Sequence, residues 1–180
     1  MMVHGNIFQA VESVSNSTGT LGTSTTENGL TAGTGCKAIT VVFARGTTEQ
    51  GNVGTLTGPQ FFAALANVVG TNNIAVQGVD YPASVQGFLA GGDANGSTLM
   101  AQLWWSVDTA ELVHNAAKML NASTAAAVSS VVIFGDPNNG TSVAGISAAK
   151  TLVICHTGDN ICQHDDQVLE PHLTRNHSPP

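Results

Sequence analysis

The residues best suited to chemistry lie close together near the end of the chain. Thr151–Ile154 is a short run rich in β-branched residues, which predicts a buried strand that opens into a loop. Cys155 and Cys162 stand seven residues apart and can close a small ring that holds Asp159 in a turn. His172 follows Asp159 by thirteen residues. An aspartate and a later histidine on loops at the end of an α/β sheet are typical of the acid and base of a Ser-His-Asp hydrolase.

Two simpler interpretations of this stretch compete with catalysis. A cysteine pair is usually a structural crosslink, and an aspartate inside its ring is usually a turn residue. A metal site is the other possibility, because side chains that bind metals cluster here: His156, Asp159, Cys162, His164, Asp165, Asp166 and His172. Their spacing fits no common zinc pattern, and a disulfide would consume both thiols. We therefore predict no metal.

The composition indicates one globular domain. The chain has 180 residues, of which 42% are hydrophobic and 9% charged, so it is long enough to bury a sizeable core. A net charge of -7 with five Lys and Arg argues against nucleic acid as a partner, because phosphate binding requires clustered cations. Anionic membrane surfaces are disfavoured for the same reason, and no apolar run reaches the length of a membrane span.

The three cysteines indicate an oxidising compartment, with Cys155 and Cys162 paired and Cys36 left over. We therefore expect a secreted, extracellular protein. The first ten residues do not carry the basic segment and apolar segment of a signal peptide, so the chain itself shows no evident leader.

Alternating strand and helix patterns predict an α/β fold with a parallel sheet. Apolar runs predict strands at 38–44, 74–79, 128–134 and 151–154, and helical spacing predicts helices at 60–69, 97–103 and 109–120. Ser97 is predicted to cap the second of these helices. Asp136 leaves a strand immediately before a proline, a position more typical of a turn residue than of a catalytic acid. Residues 1–35 are rich in Ser, Thr, Gly and Asn and predict a flexible arm, so the domain is placed at 36–175 and a short tail at 176–180.

Several ordered motifs together resemble the cutinase family of small α/β-hydrolases, which is related to the acetylxylan esterases. They are Val42-Phe43-Ala44-Arg45-Gly46-Thr47-Thr48-Glu49, Gln77-Gly78-Val79-Asp80-Tyr81-Pro82-Ala83, Gly91-Gly92-Asp93, Leu112-Val113-His114-Asn115-Ala116-Ala117, Phe134-Gly135-Asp136-Pro137, and the ring from Cys155 to Cys162 with His172-Leu173. The resemblance implies a three-layer sandwich around a mostly parallel sheet, a lidless site for polyester or acylated polysaccharide, no cofactor and a monomer. It also implies that Asp159 and His172 are the triad acid and base, and that the Thr47 hydroxyl serves the oxyanion hole.

The chain departs from the family pattern between Leu103 and Leu112. The family carries there a cysteine, a buried strand and the nucleophile elbow Gly-Tyr-Ser-Gln-Gly, whereas this chain has only Trp-Trp-Ser-Val-Asp-Thr-Ala-Glu. Cys36 is unpaired in this scheme because its family partner lies in the absent segment. Ser106 is the candidate nucleophile, although it lacks the flanking glycines of an elbow. We therefore expect a sheet without one central strand and an impaired esterase.

Two alternatives to an active esterase follow from the sequence. One is a secreted relative without catalysis, or a truncated gene product, that at most binds the family's substrates. The other is a glycan-binding module, for which Tyr81, Trp104 and Trp105 are the main aromatic candidates. So few aromatic residues give that last possibility little support.

Overall fold

The computed structural model describes residues 22–33, 37–103 and 110–173. Ser106 and Cys36, the candidate nucleophile and the leftover cysteine, lie outside the described residues. The strands are β1 (Ile39–Phe43), β2 (Ile74–Gly78), β3 (Val131–Phe134) and β4 (Thr151–Ile154). The helices are α1 (Gly58–Val69), α2 (Val85–Leu89), α3 (Ala94–Leu103), α4 (Ala110–Met119), α5 (Ala122–Ala127) and α6 (Glu170–Leu173), with short 3₁₀ turns at Thr71–Asn73, Ala148–Lys150 and Ile161–Gln163.

The strands form two parallel pairs, β1 with β2 and β3 with β4. The strands of both pairs are continuous apolar runs in the sequence, because a parallel strand that is covered on both faces has no polar side. The predicted α/β fold with parallel strands is confirmed. Among the described residues, no strand pairs with the second edge of β1 or of β3, so the two pairs are separate sheets.

A single apolar core nevertheless contains side chains from both strand pairs. The ring of Phe62 on α1 packs edge-on against Phe43 of β1, with centroids 5.0 Å apart. Its neighbour Phe61 packs in the same way against Phe134 of β3, at 5.8 Å. Edge-to-face aromatic pairs of this kind contribute about 1 kcal/mol beyond the area they bury. Helix α1 therefore connects the two halves of the domain through packing.

The segment before β1 is attached to the domain at the free edge of β2. The amide of Gly29 donates to the carbonyl of Val76 at 2.8 Å, and the amide of Gly78 donates to the carbonyl of Glu27 at 2.8 Å. The side-chain oxygen of Gln77 accepts from the amides of Leu30 and Thr31. The sequence predicted a flexible arm over residues 1–35, but residues 27–31 of it cover a sheet edge, because that edge would otherwise leave backbone groups unpaired.

Helix α3 begins earlier than predicted. Its first residue is Ala94, and Asp93 Oδ1 accepts from the amide of Gly96 at 2.6 Å. Ser97 lies inside the helix, where its hydroxyl donates to the carbonyl of Asp93. The prediction of Ser97 as the cap was therefore wrong, because Asp93 satisfies the first free amides instead. None of the helices in the described part of the chain is both long and apolar enough to cross a bilayer.

Candidate active site

Asp159 and His172 lie side by side at the exit of β4. His172 Nδ1 is 3.0 Å from Asp159 Oδ2 and 3.2 Å from Oδ1. The carboxylate is nearly inaccessible, with 1% of its side chain exposed, whereas the imidazole is 27% exposed. A carboxylate oxygen accepts hydrogen bonds, so the contact has Nδ1 as the donor and directs Nε2 away from Asp159. A neutral histidine held in this way can act as a general base through Nε2.

The loop after β4 fixes the position of Asp159. The predicted disulfide between Cys155 and Cys162 is present and brings their Cα atoms to 6.1 Å. Within this ring, the amide of Asp159 donates to the carbonyl of His156, and Gly158 adopts φ +83°, which a residue with a side chain rarely tolerates. Asp159 Oδ1 also accepts from the amide of Ile161 at 3.0 Å. The backbone bond to His156 and the bond from the Ile161 amide thus hold Asp159 in place independently of His172.

Gly135, at the exit of β3, forms the surface on which the imidazole of His172 rests. A Cβ at Gly135 would lie 2.3 Å from His172 Cε1 and 2.7 Å from Nδ1. The residue also has φ +58°. Glycine is therefore required here for two separate reasons, its backbone conformation and the space for the ring. Sequence reasoning noted the motif around Gly135 and did not identify this role.

Substituting Gly135 by alanine is expected to destabilise the protein and to separate His172 from Asp159. Gly140→Ala is the matched control, because Gly140 also has positive φ (+90°) and a Cβ there meets nothing within 4 Å. Both variants incur the backbone penalty, so we expect Gly135→Ala to lose about 1–3 kcal/mol more free energy of unfolding in urea. The ¹⁵N shift of His172 Nδ1 should change only in Gly135→Ala. Equal losses in the two variants would contradict the proposed contact.

Thr47 lies in the loop after β1 and lines the same cavity as His172 and Asp159. The carboxylate of Glu49 organises this loop, because it accepts from the amides of Gly46, Thr55 and Leu56 at 2.7–2.8 Å. The neighbouring Thr48 adopts φ +66°, and its amide donates to the carbonyl of Ala83 at 2.7 Å. Such a conformation costs energy for a residue other than glycine and persists only where its surroundings enforce it.

Asp136 is part of a second, fully buried pair. His114 Nε2 on α4 lies 3.2 Å from Asp136 Oδ2, and Asp136 is 0% exposed. Its other oxygen accepts from the amide of Asn138 at 2.8 Å, so the predicted turn is also present. The pair joins helix α4 to the exit of β3. Sequence reasoning missed the partnership because the two residues are 22 positions apart.

Glu111, in the first turn of α4, is the acid whose pKa departs most clearly from its ordinary value. Burial, and after it the neighbouring Asp136 carboxylate, raises the pKa of Glu111 to about 7. Between pH 4.5 and 7 the folded chain thus binds more protons here than the unfolded chain, so this residue lowers stability as pH rises across that range. An acid at the start of a helix is common, so the sequence alone gave no reason to single out Glu111.

A cavity of about 310 Å³ connects these groups. Asp159, His172, Thr47 and Glu111 line it together with apolar side chains, which include Phe43, Leu56, Tyr81, Phe88, Leu112, Phe134 and Ile154. In the part of the chain that the structure describes, no three His, Cys, Asp or Glu residues converge as metal ligands would.

A parallel α/β fold that carries a carboxylate-bonded histidine at its strand exits is the arrangement of the α/β-hydrolase class. The cutinase family profile matches residues 35–110 and 107–178, so this chain belongs to the cutinase family. A cutinase of Botryotinia fuckeliana is 51% identical over 154 residues, which cover 77% of this chain and 76% of the relative. Cutinase pbc1 of Pyrenopeziza brassicae is 46% identical over 170 residues, which cover 86% of this chain and 82% of the relative.

A solved structure is similar as well. It is the Trichoderma reesei cutinase in complex with a phosphonate inhibitor, with a TM-score of 0.76 and 45% identity. The similarity covers 83% of this chain and 73% of that one.

Proposed function

We propose that this chain carries the acid, the base and the oxyanion side chain of a secreted serine esterase, and that its own turnover is strongly impaired. The observation that carries the proposal is the hydrogen bond from His172 to the buried Asp159. Membership of the cutinase family supports a carboxylic ester as the substrate, such as cutin polyester or an acylated plant polysaccharide.

The proposed mechanism is a two-step acyl transfer. His172 Nε2 removes the proton of a serine hydroxyl as that oxygen attacks the ester carbonyl, and Asp159 stabilises the imidazolium that forms. The Thr47 hydroxyl and backbone amides stabilise the oxyanion. The imidazolium then protonates the leaving alcohol, and His172 activates a water molecule that releases the acid. No step requires a cofactor.

The impairment is proposed at the nucleophile. No hydroxyl of the described residues hydrogen-bonds the ring of His172, whose described partner is Asp159. The family profile matches in two pieces that meet at residues 107–110, where sequence analysis places the absent elbow. The separation of the two strand pairs supports the loss of a strand between β1 and β3. Ser106 is then the remaining candidate nucleophile.

The same observations favour a second candidate function, which is binding of ester ligands without turnover. Hydrolysis of a short-chain chromogenic ester by the unchanged chain, Ser106→Ala and His172→Ala separates the two. We expect slow hydrolysis that falls to background in both variants if Ser106 is the nucleophile. Equal, background-level rates in all three proteins would refute the esterase and leave the binding function.

A further inference from the structure

Glu111 is one of the acidic side chains on the cavity wall to which the proposed mechanism gives no role. Glu111 is half-buried and lines the cavity beside the apolar side chains of Leu112 and Phe134. Gly92 packs directly against it, since a Cβ at Gly92 would lie 3.3 Å from Glu111 Cβ. The buried Asp136, which is paired with His114, is close enough to act electrostatically on Glu111. Glu111 therefore lines the cavity that the proposed function takes as the place of the acyl chain.

The described wall of the cavity contains no lysine or arginine that could neutralise an anion. Its other carboxyl and imidazole side chains are those of Glu49, Asp93, His156, Asp159, Asp166 and His172. Four of these six are acids, and the His172 ring already donates to one of them. An aliphatic carboxylate that enters the cavity therefore meets apolar surface and negative charge. A neutral ester or alcohol of the same length meets the same apolar surface without the repulsion.

We propose that Glu111 is the specificity-determining residue by which the cavity retains neutral alkyl and ester ligands and rejects aliphatic carboxylates. The inference rests on the proposed function, because it takes the cavity as the binding place of the acyl chain. The raised pKa of Glu111 adds a pH dependence to this discrimination. Below about pH 7 the neutral carboxyl tolerates a ligand carboxylate, and above it the ionised group repels one. In an esterase this repulsion favours release of the acid product.

The test compares the binding of 1-decanol and decanoate by isothermal titration calorimetry at about pH 6 and about pH 8.5, where decanoate itself stays ionised. We expect equal affinity for decanol at both pH values. Decanoate should bind about tenfold more weakly at the higher pH, because one like charge acts across a partly buried site. In Glu111→Gln this difference should disappear. Glu170→Gln is the matched control, because Glu170 is exposed and lies outside the cavity wall, and it should keep the difference.

Protonation of His172 would change decanoate binding in the same direction, so His172→Gln belongs in the experiment. The inference is overturned if the pH difference persists in Glu111→Gln and disappears in His172→Gln. It is also overturned if decanol binds and decanoate shows no pH difference, while the proposed acyl site itself stands. If neither ligand binds, the proposed acyl site fails, and the inference fails with it.

Discussion

Restoring the absent elbow is expected to raise ester hydrolysis at least about 10³-fold. The change replaces residues 104–109 with the corresponding segment of the Botryotinia fuckeliana cutinase, which is 51% identical to this chain. His172 and Asp159 are already hydrogen-bonded and lie at the cavity where a nucleophile would act. A positioned serine hydroxyl then supplies the attacking atom, whereas we propose that Ser106 of the unchanged chain, which lacks the flanking glycines of an elbow, supports slow hydrolysis at most.

Rates are measured with a short-chain chromogenic ester, and the control is the same chimera with its elbow serine changed to alanine. That control should fall to the rate of the unchanged chain or below it, because it keeps every restored packing contact and loses the nucleophile alone. The prediction fails if the unchanged chain already hydrolyses the ester within about tenfold of the chimera, which would mean that a working nucleophile is present.

Two further readouts of the chimera do not depend on activity. A strand between β1 and β3 would pair their second edges and join two sheets that are separate among the described residues. We therefore expect a higher free energy of unfolding, since buried backbone groups without partners cost about 1–3 kcal/mol each. The chain has three cysteines, of which two form the Cys155–Cys162 disulfide. If the restored segment supplies the partner of Cys36, a thiol titration should detect no free cysteine.

Local sequence patterns predicted the elements that hold the site. The β-branched runs predicted β1, β2 and β4 within two residues at each end. A continuous apolar run of that length is typical of a strand that is buried on both faces of a parallel sheet. The helix at 109–120 was predicted from the spacing of Leu112, Ala116 and Leu120, and the first two of these are buried. The ring of Cys155 and Cys162 pointed to Asp159 because it encloses the aspartate in the sequence itself.

Features that depend on distant partners could not be predicted in this way. Asp136 looked like a turn residue and is one, but its burial against His114 is a tertiary contact between α4 and the exit of β3. The requirement for glycine at position 135 comes from the ring of His172, on the far side of the β4 loop. Likewise the pKa of Glu111 is raised first by its burial in the fold and then by the buried Asp136 carboxylate, 25 residues away in the sequence. Such effects depend on three-dimensional proximity that no local window of sequence contains.

In the restored chimera, Asp159→Asn is expected to lower kcat about 10⁴-fold while KM changes much less. The reason is the tautomer of His172. The carboxylate accepts a hydrogen bond from Nδ1–H and leaves Nε2 free to take the proton of the serine. An asparagine can turn its amide so that it donates to Nδ1, which places the imidazole proton on Nε2 and removes the base. The imidazolium that forms during attack also loses its stabilising charge.

Asp165→Asn is the matched control, because Asp165 lies in the same loop and is exposed, and its carboxylate bonds the amides of Asp166 and Gln167 and the side chain of Asn160 but not His172. It should leave kcat unchanged. The turn itself should survive Asp159→Asn, since an asparagine Oδ1 can still accept from the amide of Ile161, so urea unfolding should show a smaller change than kinetics does. A variant that keeps kcat within about tenfold would show that His172 does not depend on Asp159 for its tautomer. The described hydrogen bond would then be structural, and the acid of the triad would have to be sought elsewhere along the cavity wall.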